Sequence, residues 1–308
     1  MVSLKKQCLS EFLCGLLVGF FGLGCLIPLH LKIIDQFQFS MLFGLAIAFV
    51  VLVFNPVSGA QFNPGVTLAM VITKRQDKKT LIPFILAQIL GWFCGAALVH
   101  AAFYNQIDII AMEMSQGVAA VNLLFCNYNA GGLYGVFPFE IILTAFMVIV
   151  ILACNDQRIV NNPGKALFPL VLALYITFGV TLAGPYSGAC LNMARDFGPR
   201  LFALIWGTIK GYDTSAIFGN GYQFLVYIFV PTLGAVLGAL IYDGAITHLL
   251  PNNKPVAPVK GVINENYIKK DSIFHIEHKD KVAKKVEVKP TKKAKPAKTV
   301  KKKVSKKK

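Results

Sequence analysis

The sequence predicts an all-α membrane protein built from two related halves, with six transmembrane helices plus two re-entrant half-helices. Its 308 residues are 55% hydrophobic and only 15% charged, and the mean hydropathy is +0.59. A soluble protein does not need so apolar a composition. The segment SGAQFNPG at 58–65 recurs in altered form as SGACLNMA at 187–194. A duplicated membrane unit explains both observations, with repeats at about 5–125 and 130–245.

Six apolar segments have the length of a membrane-crossing helix, which is about 20 residues. They lie at roughly 9–29, 40–57, 82–104, 137–154, 166–183 and 222–243. Two further apolar stretches begin at Asn63 and Asn192. Because each is only about 10–13 residues long, it is too short to cross a bilayer. We therefore expect two re-entrant half-helices buried in protein.

Each half-helix is predicted to begin at an asparagine. The two motifs are Asn63-Pro64-Gly65 and Asn192-Met193-Ala194. Asparagine is a favoured helix N-cap, and proline fits the first helical position. If the half-helices enter from opposite faces, their positive dipole ends and both Asn amides converge near the midplane. Such a centre repels cations and offers N–H donors to a neutral solute.

Basic residues predict the orientation, because Lys and Arg are enriched in cytoplasmic loops. They precede the first span, follow the first half-helix and lie between the fourth and fifth spans, whereas residues 105–136 contain none. The sequence therefore predicts a multi-pass protein of the cell membrane with both termini cytoplasmic.

The C-terminal region has a different composition from the rest. Residues 251–308 contain 19 Lys, 5 acidic residues and no Arg. We predict a transmembrane channel domain at 1–250 and a Lys-rich, disordered cytoplasmic tail at 251–308. Without Arg, and without an aromatic residue after Phe274, the tail does not favour nucleic acid binding. It suits the anionic lipid surface of the inner leaflet.

Two acidic residues fall inside predicted spans. Glu11 and Glu140 lie in the first span of each half, at the same offset of 129 residues that relates the two motifs. We expect each carboxylate to support its re-entrant loop by accepting backbone hydrogen bonds, the alternative being a proton relay. The sequence suggests no catalytic set, metal-ligand spacing or C-x-x-C pair, so it predicts neither an enzyme nor a cofactor.

These motifs resemble those of the aquaporin superfamily, and specifically of its glycerol facilitator branch, over about residues 5–245. The most specific segment is NMARDFGP at 192–199, in which Asp196 after the arginine marks the glycerol branch. The resemblance implies an aquaporin-like inverted repeat, a passive channel without a cofactor, and a homotetramer with one pore per subunit. Small residues such as Gly91 and Gly238 are expected to let helices approach closely.

By the same resemblance, counting from the two Asn residues gives the narrowest ring of the pore. The ring residues are Phe43, Val180, Ala189 and Arg195. In that order the four side chains are aromatic, apolar, small and cationic. A ring of this composition favours a solute with both a carbon face and hydroxyl groups. We expect Arg195 to bond carbonyls of its own loop, and Cys190 to be shielded from the pore.

The sequence departs from the usual Asn-Pro-Ala motifs of the family at two positions. Gly65 replaces an alanine, and Met193 replaces a proline. Gly65 is expected to remove a methyl group where the two motifs meet, and so to loosen the centre of the pore. Met193 gives up the fixed φ of proline at the helix start.

The expected function is passive transport of small neutral solutes, with glycerol as the main permeant and water carried along. One alternative is a channel for water, hydrogen peroxide or a small neutral acid, which Val180 and Ala189 permit. Another is a proton-coupled secondary transporter, since inverted repeats with discontinuous helices also build those. A third treats the spans as an anchor for the Lys-rich tail.

Overall fold

The computed structural model describes residues 2–113, 125–127, 132–156, 159, 164–211, 213–215, 217–218 and 223–250. The regular structure in these residues is helical, and six of the helices are long and apolar enough to cross a membrane. The all-α prediction of six spanning helices is confirmed. The predicted tail at 251–308 lies outside the described residues.

The helices follow the predicted order. α1 occupies Leu4–His30 and contains a π-helical turn at Gly19–Leu23. It is followed by α2 (Gln36–Ser58), the half-helix α3 (Pro64–Ile72), α4 (Leu81–Ala102), α5 (Tyr104–Glu113), α6 (Gly132–Asn155), α7 (Gly164–Ser187), the second re-entrant helix α8 (Met193–Lys210) and α9 (Gln223–Ile241). The chain of α9 continues through a π-helical turn at Tyr242–Ile246.

Helix ends are set by capping residues as well as by apolar content. α2 begins four residues before the predicted span because Asp35 caps it: the Gln38 backbone N–H donates to Asp35 at 2.8 Å, and the Asp35 N–H donates to the Gln38 side chain at 2.9 Å. This reciprocal pair satisfies two backbone donors that a helix start leaves open.

The predicted length of about 10–13 residues was wrong for the second re-entrant helix. α8 has 18 residues, and its C-cap is Gly211, which has a left-handed φ of 71°. Charged residues at its start interrupt the apolar pattern, which made the segment look shorter. Inside the protein Asp196 and Arg200 form a buried ion pair, so the helix continues to its glycine C-cap.

The helices pack in pairs that repeat in the two halves. α1 packs on α2 and α4, and the equivalent α6 packs on α7 and α9. Each re-entrant helix packs against the last spanning helix of the other half, α3 on α9 and α8 on α4. The halves therefore interlock, as an inverted repeat with discontinuous helices requires.

Glycines allow the closest of these contacts. A Cβ atom on Gly91 would lie 2.3 Å from the carbonyl oxygen of Phe12, and one on Gly238 would lie 2.1 Å from that of Ala145. Neither distance is possible for a larger residue without backbone movement. The predicted close approach at these small residues is confirmed, and the structure shows that α4 approaches α1 there and α9 approaches α6.

The outer faces of the spanning helices carry large apolar side chains. Several of these residues each expose more than half of their own surface. They include Leu9, Phe49, Leu52, Ile142, Leu174 and Phe229. A belt of this kind is unfavourable in water but is the normal surface of a helix in lipid. The fold is that of a multi-pass membrane protein.

Candidate solute pore

The two re-entrant loops that precede α3 and α8 share an unusual backbone. In the first loop Gly59, Ala60 and Phe62 have left-handed φ angles of 94°, 45° and 36°. The second loop repeats the pattern at Gly188, Ala189 and Leu191, with 76°, 46° and 51°. Left-handed φ costs a non-glycine residue roughly 1–2 kcal/mol, so each loop needs partners that fix it.

Glu11 on α1 fixes the first loop. Its carboxylate is fully buried and accepts the backbone N–H groups of Gln61 at 3.1 Å and Phe62 at 2.6 Å. The Ser58 hydroxyl donates to it at 2.6 Å, and the Gln88 side chain at 2.8 Å. Four donors therefore converge on one buried carboxylate, which is how a buried charge is stabilised.

Glu140 on α6 holds the second loop in the same way. It is also fully buried and accepts the N–H groups of Cys190 at 2.9 Å and Leu191 at 2.8 Å. The Ser187 hydroxyl donates to it at 2.8 Å. The two acids thus occupy equivalent places behind equivalent loops.

These bonds determine where the loop carbonyls point. A planar trans peptide directs its N–H and the carbonyl of the preceding residue to opposite sides. Because the N–H groups of Gln61 and Phe62 face Glu11, the carbonyls of Ala60 and Gln61 face away from it. Both residues line a cavity beside the loop. The second loop likewise turns two carbonyls away from Glu140.

The two motif asparagines are each bonded to the opposite loop. The Asn63 side-chain amide donates to the Leu191 carbonyl at 2.8 Å, and the Asn192 amide donates to the Phe62 carbonyl at 2.8 Å. Each Oδ1 caps its own helix, Asn63 accepting the Gly65 N–H at 3.0 Å and Asn192 the Ala194 N–H at 2.9 Å. An Asn amide has two N–H donors, so one remains on each side chain.

The four predicted ring residues are all buried. Phe43 on α2, Val180 on α7 and Ala189 in the second loop belong to one continuous apolar cluster. Arg195 in α8 is 6% exposed, and its guanidinium donates to the Phe125 carbonyl at 2.7 Å. The expectation that Arg195 bonds its own loop was wrong, because the carbonyl it reaches belongs to the segment before α6.

Comparison with known proteins decides the family. A family model described as Major intrinsic protein matches residues 1–242. The chain belongs to the major intrinsic protein family. The aquaporin resemblance is therefore confirmed at the level of family.

Relatives of this major intrinsic protein include named facilitators. It is 34% identical over 268 residues to the glycerol uptake facilitator protein of Escherichia coli (strain K12), covering 81% of this chain and 91% of that one. It is 31% identical over 264 residues to the propanediol uptake facilitator of Salmonella typhimurium, covering 82% and 98%. The X-ray structure of the aquaglyceroporin from Plasmodium falciparum matches with a TM-score of 0.70 and 26% identity, covering 80% and 98%.

The Gly65 departure from the family motif has a local cause. A Cβ atom there would lie 3.1 Å from Cα of Thr232 and 3.2 Å from Cβ of Ala235, both on α9. A further atom near this position is Oδ1 of Asn63, at 3.3 Å from such a Cβ atom. Gly65 permits close packing of α3 on α9.

Met193 occupies the first helical position of α8, after the N-cap Asn192. The Asn192 side chain accepts the N–H groups of Ala194 and Arg195. This cap replaces part of what a proline at position 193 would contribute to the helix start.

Cys190 points into the protein. Its thiol donates to the Asn192 carbonyl at 3.1 Å, and the side chain packs with Val136 of α6 and Tyr227 of α9. The residue is 3% exposed. Its neighbours lie on the spanning helices behind the loop, in a cluster separate from the one that holds Ala189.

Asp196 organises a polar cluster that sequence reasoning did not find. It accepts the Asn127 backbone N–H at 2.6 Å and forms an ion pair with Arg200 at 2.5 Å. Arg200 also donates to the carbonyls of Asn127, at 2.5 Å, and Ile217. This cluster fixes the segment that carries the Phe125 carbonyl. No spacing rule links residues 127, 196 and 217, so only the tertiary structure identifies them.

Gln36 was also missed. Its side-chain amide donates to the carbonyl of Val180 at 3.1 Å, which joins the start of α2 to α7 next to the predicted ring. Gln36 lies before the apolar part of its helix, and its composition gives no signal of this contact.

Proposed function

We propose that this chain is a glycerol facilitator, a passive channel that carries glycerol, and water with it, down a concentration gradient. The observation that carries the proposal is the pair of asparagines, each bonded to the opposite loop and each retaining one N–H donor. Relatives named as glycerol and propanediol uptake facilitators support a small polyol as the permeant.

The solute path combines donors, acceptors and an apolar wall. A hydroxyl oxygen accepts from the remaining N–H of Asn63 or Asn192, and hydroxyl protons are donated to loop carbonyls such as those of Ala60 and Gln61. The carbon face slides along apolar side chains such as Val180. Such a path replaces the hydration of a neutral polyol without binding it tightly, which conduction requires.

Cations are excluded at two levels. The positive ends of α3 and α8 begin at Asn63 and Asn192, and two helix N-termini oppose a cation. We propose that the Arg195 guanidinium adds a fixed positive charge at the narrowest ring. A solute without charge meets neither barrier.

We propose that Phe43, Val180, Ala189 and Arg195 form that ring. Replacing Val180 by His and Ala189 by Thr adds polar groups and bulk, so we expect glycerol flux to fall far more than water flux. An equal fall in both fluxes would mean that the ring lies elsewhere.

We propose a structural role for Glu11 and Glu140 in preference to a proton relay. Each carboxylate is occupied by donors of its own loop, and Glu11 also accepts from the Gln88 side chain on α4, with bonds of 2.6–3.1 Å at Glu11 and 2.8–2.9 Å at Glu140. If either carboxylate were protonated, its O–H would point at a backbone N–H, and two donors would then face each other. Glycerol flux is therefore expected to follow its own gradient and to ignore an imposed pH gradient.

The assembly is proposed to be a homotetramer with one pore per subunit, in the cell membrane with both termini cytoplasmic. The distribution of basic residues supports this orientation. We propose that the Lys-rich tail at 251–308 contacts the anionic lipid surface of the inner leaflet. Full glycerol flux after its deletion would exclude the tail as the main functional element.

The deciding experiment is stopped-flow light scattering of proteoliposomes under matched glycerol and water gradients. A glycerol facilitator raises the rates of both swelling and shrinkage over empty liposomes. A rate increase for water alone would favour the second candidate, a water or hydrogen peroxide channel, which the small Ala189 side chain suits.

A further inference from the structure

A polar network connects the first re-entrant loop to the segment between α3 and α4. Gln61 of the loop accepts the Thr67 hydroxyl at 2.7 Å and donates its side-chain amide to the Gln76 side chain. Gln76 in turn donates to the Thr80 hydroxyl at 2.7 Å. All four residues are buried. Bonded polar side chains in a buried place hold one another in fixed positions.

Arg75, the neighbour of Gln76, joins this network to the end of α9. Its guanidinium donates to both carboxylate oxygens of Asp243, and one of the two bonds measures 2.7 Å. The backbone N–H groups of Arg75 and Gln76 both donate to the Met70 carbonyl, at 2.8 and 3.1 Å. The two residues therefore belong to one tight turn directly after α3, and a shift of Arg75 moves Gln76.

The end of α9 gives Asp243 a firm base. Tyr242 and Asp243 begin the π-helical turn that continues α9. The Tyr242 hydroxyl donates to the carboxylate of Asp156, the residue that follows α6, at 2.8 Å. Both Tyr242 and Asp156 are buried. Single π-helical turns are frequent at functional sites, and here two consecutive side chains bond to two different segments.

The network ends at a residue of the proposed solute path. The Gln61 N–H donates to Glu11 at 3.1 Å, and the Gln61 carbonyl is turned away from Glu11. The backbone of Gln61 is thus anchored on α1, and its side chain is anchored on the turn after α3. The equivalent residue of the second loop, Cys190, donates within its own loop to the Asn192 carbonyl at 3.1 Å. The tether through Gln76 therefore belongs to the first loop.

We propose that Arg75 and Asp243 are positioning residues for permeation: their ion pair, acting through Gln76, sets the position of the Gln61 carbonyl on the solute path. This inference rests on the proposed polyol channel. A polyol needs protein acceptors that replace the water lost from its hydroxyl groups. A water molecule depends on them less, because it also donates to neighbouring waters in the path. The pair therefore supports glycerol permeation more than water permeation.

The test removes the ion pair and the link separately and together. Asp243→Asn keeps the shape of the side chain but loses the charge that holds Arg75, and Gln76→Met removes the acceptor of the Gln61 amide. Both single variants and the double variant are reconstituted, and glycerol and water permeabilities per folded protein are measured by stopped-flow light scattering. Asp213→Asn is the matched control, because Asp213 is exposed and lies outside the network.

Each single variant is expected to lower glycerol permeability about threefold and water permeability less than about twofold, a size typical of coupling between neighbouring residues. If the pair acts through Gln76, the double variant is no worse than either single variant. Independent effects would instead multiply to about tenfold. Asp243→Glu, which keeps the carboxylate, should retain more glycerol permeability than Asp243→Asn.

Hydrogen exchange supplies a second measurement that does not involve glycerol. Loss of the pair should speed the exchange of backbone amides at 59–63, because the loop opens more easily when its tether is released. The same amides in Asp213→Asn, and the second-loop amides at 188–192 in Asp243→Asn, should exchange as in wild type.

Three results would overturn the inference. Unchanged glycerol permeability in Asp243→Asn would show that the pair does not act on the path. Effects of Asp243→Asn and Gln76→Met that multiply in the double variant would show that the pair does not act through Gln76. An equal fall for glycerol and water would show a structural role only. A wild type that conducts glycerol would leave the proposed function standing in each case, whereas a wild type that does not would refute that function, and the exchange measurement would still decide whether the pair holds the loop.

Discussion

Glu140 offers the sharpest test of how the pore loops are held. The Glu140→Gln variant keeps shape and volume but replaces one carboxylate oxygen by an NH2 group. If the remaining oxygen stays with Ser187 and Cys190, the new NH2 faces the Leu191 N–H, which now donates at 2.8 Å to a carboxylate. A donor then meets a donor in a fully buried place.

The expected cost follows from that geometry. One charge-assisted hydrogen bond is lost, worth about 1.5–3 kcal/mol, and one buried N–H is left unpaired, at about 1–3 kcal/mol. The lost bond and the unpaired N–H are partly the same loss, so the two costs do not simply add. We therefore expect the free energy of unfolding to fall by about 2–4 kcal/mol. Glycerol flux per folded protein should fall too, since the second-loop carbonyls lose their orientation.

Unfolding in mixed detergent micelles measures the stability, and proteoliposome swelling measures the flux. Asp213→Asn serves as the control, because Asp213 is exposed and accepts the backbone N–H of the neighbouring Ser215 at 2.9 Å. A Glu140→Gln variant as stable as wild type would refute the assigned loop support. A stable variant whose flux had lost its response to a pH gradient would instead favour the proton relay.

Three further predictions concern the ring and the packing. Arg195→Val should keep a folded protein but raise proton and sodium leak roughly five- to tenfold, as the loss of one nearby unit charge implies; ion-flux assays check this, and an unchanged leak contradicts it. Bulky thiol reagents should block wild type slowly and block Ala189→Cys in a Cys190→Ser background quickly; rapid block of wild type that Cys190→Ser abolishes would reverse the orientation of these two residues. Gly91→Ala should cost about 1–3 kcal/mol or more, because its Cβ would lie 2.3 Å from a backbone carbonyl of α1. Gly65→Ala should cost less, because its nearest contacts are 3.1 Å or longer, and equal unfolding losses would count against this account of the packing.

The pattern of the sequence was sufficient for the architecture. Lipid requires every backbone group in a span to be bonded within its helix, so long apolar segments predict spans directly. The repeated motif predicted two re-entrant helices, and the fixed offset of Glu11 and Glu140 directed attention to the two acids. These inferences use only the type and order of residues along the chain, so they did not depend on knowing the fold.

The contacts across the pore were decided by tertiary structure alone. The bond of Arg195 to Phe125, the cluster around Asp196 and the packing of Gly65 on α9 all join positions with no sequence spacing in common. Asn55 and Asn155 lie 100 residues apart along the chain, and both residues line one cavity beside the first loop. A sequence pattern encodes the period of a helix and the signals at its ends. Which carbonyl a side chain reaches depends on how the two interlocked halves pack, and that is fixed only when the chain is folded.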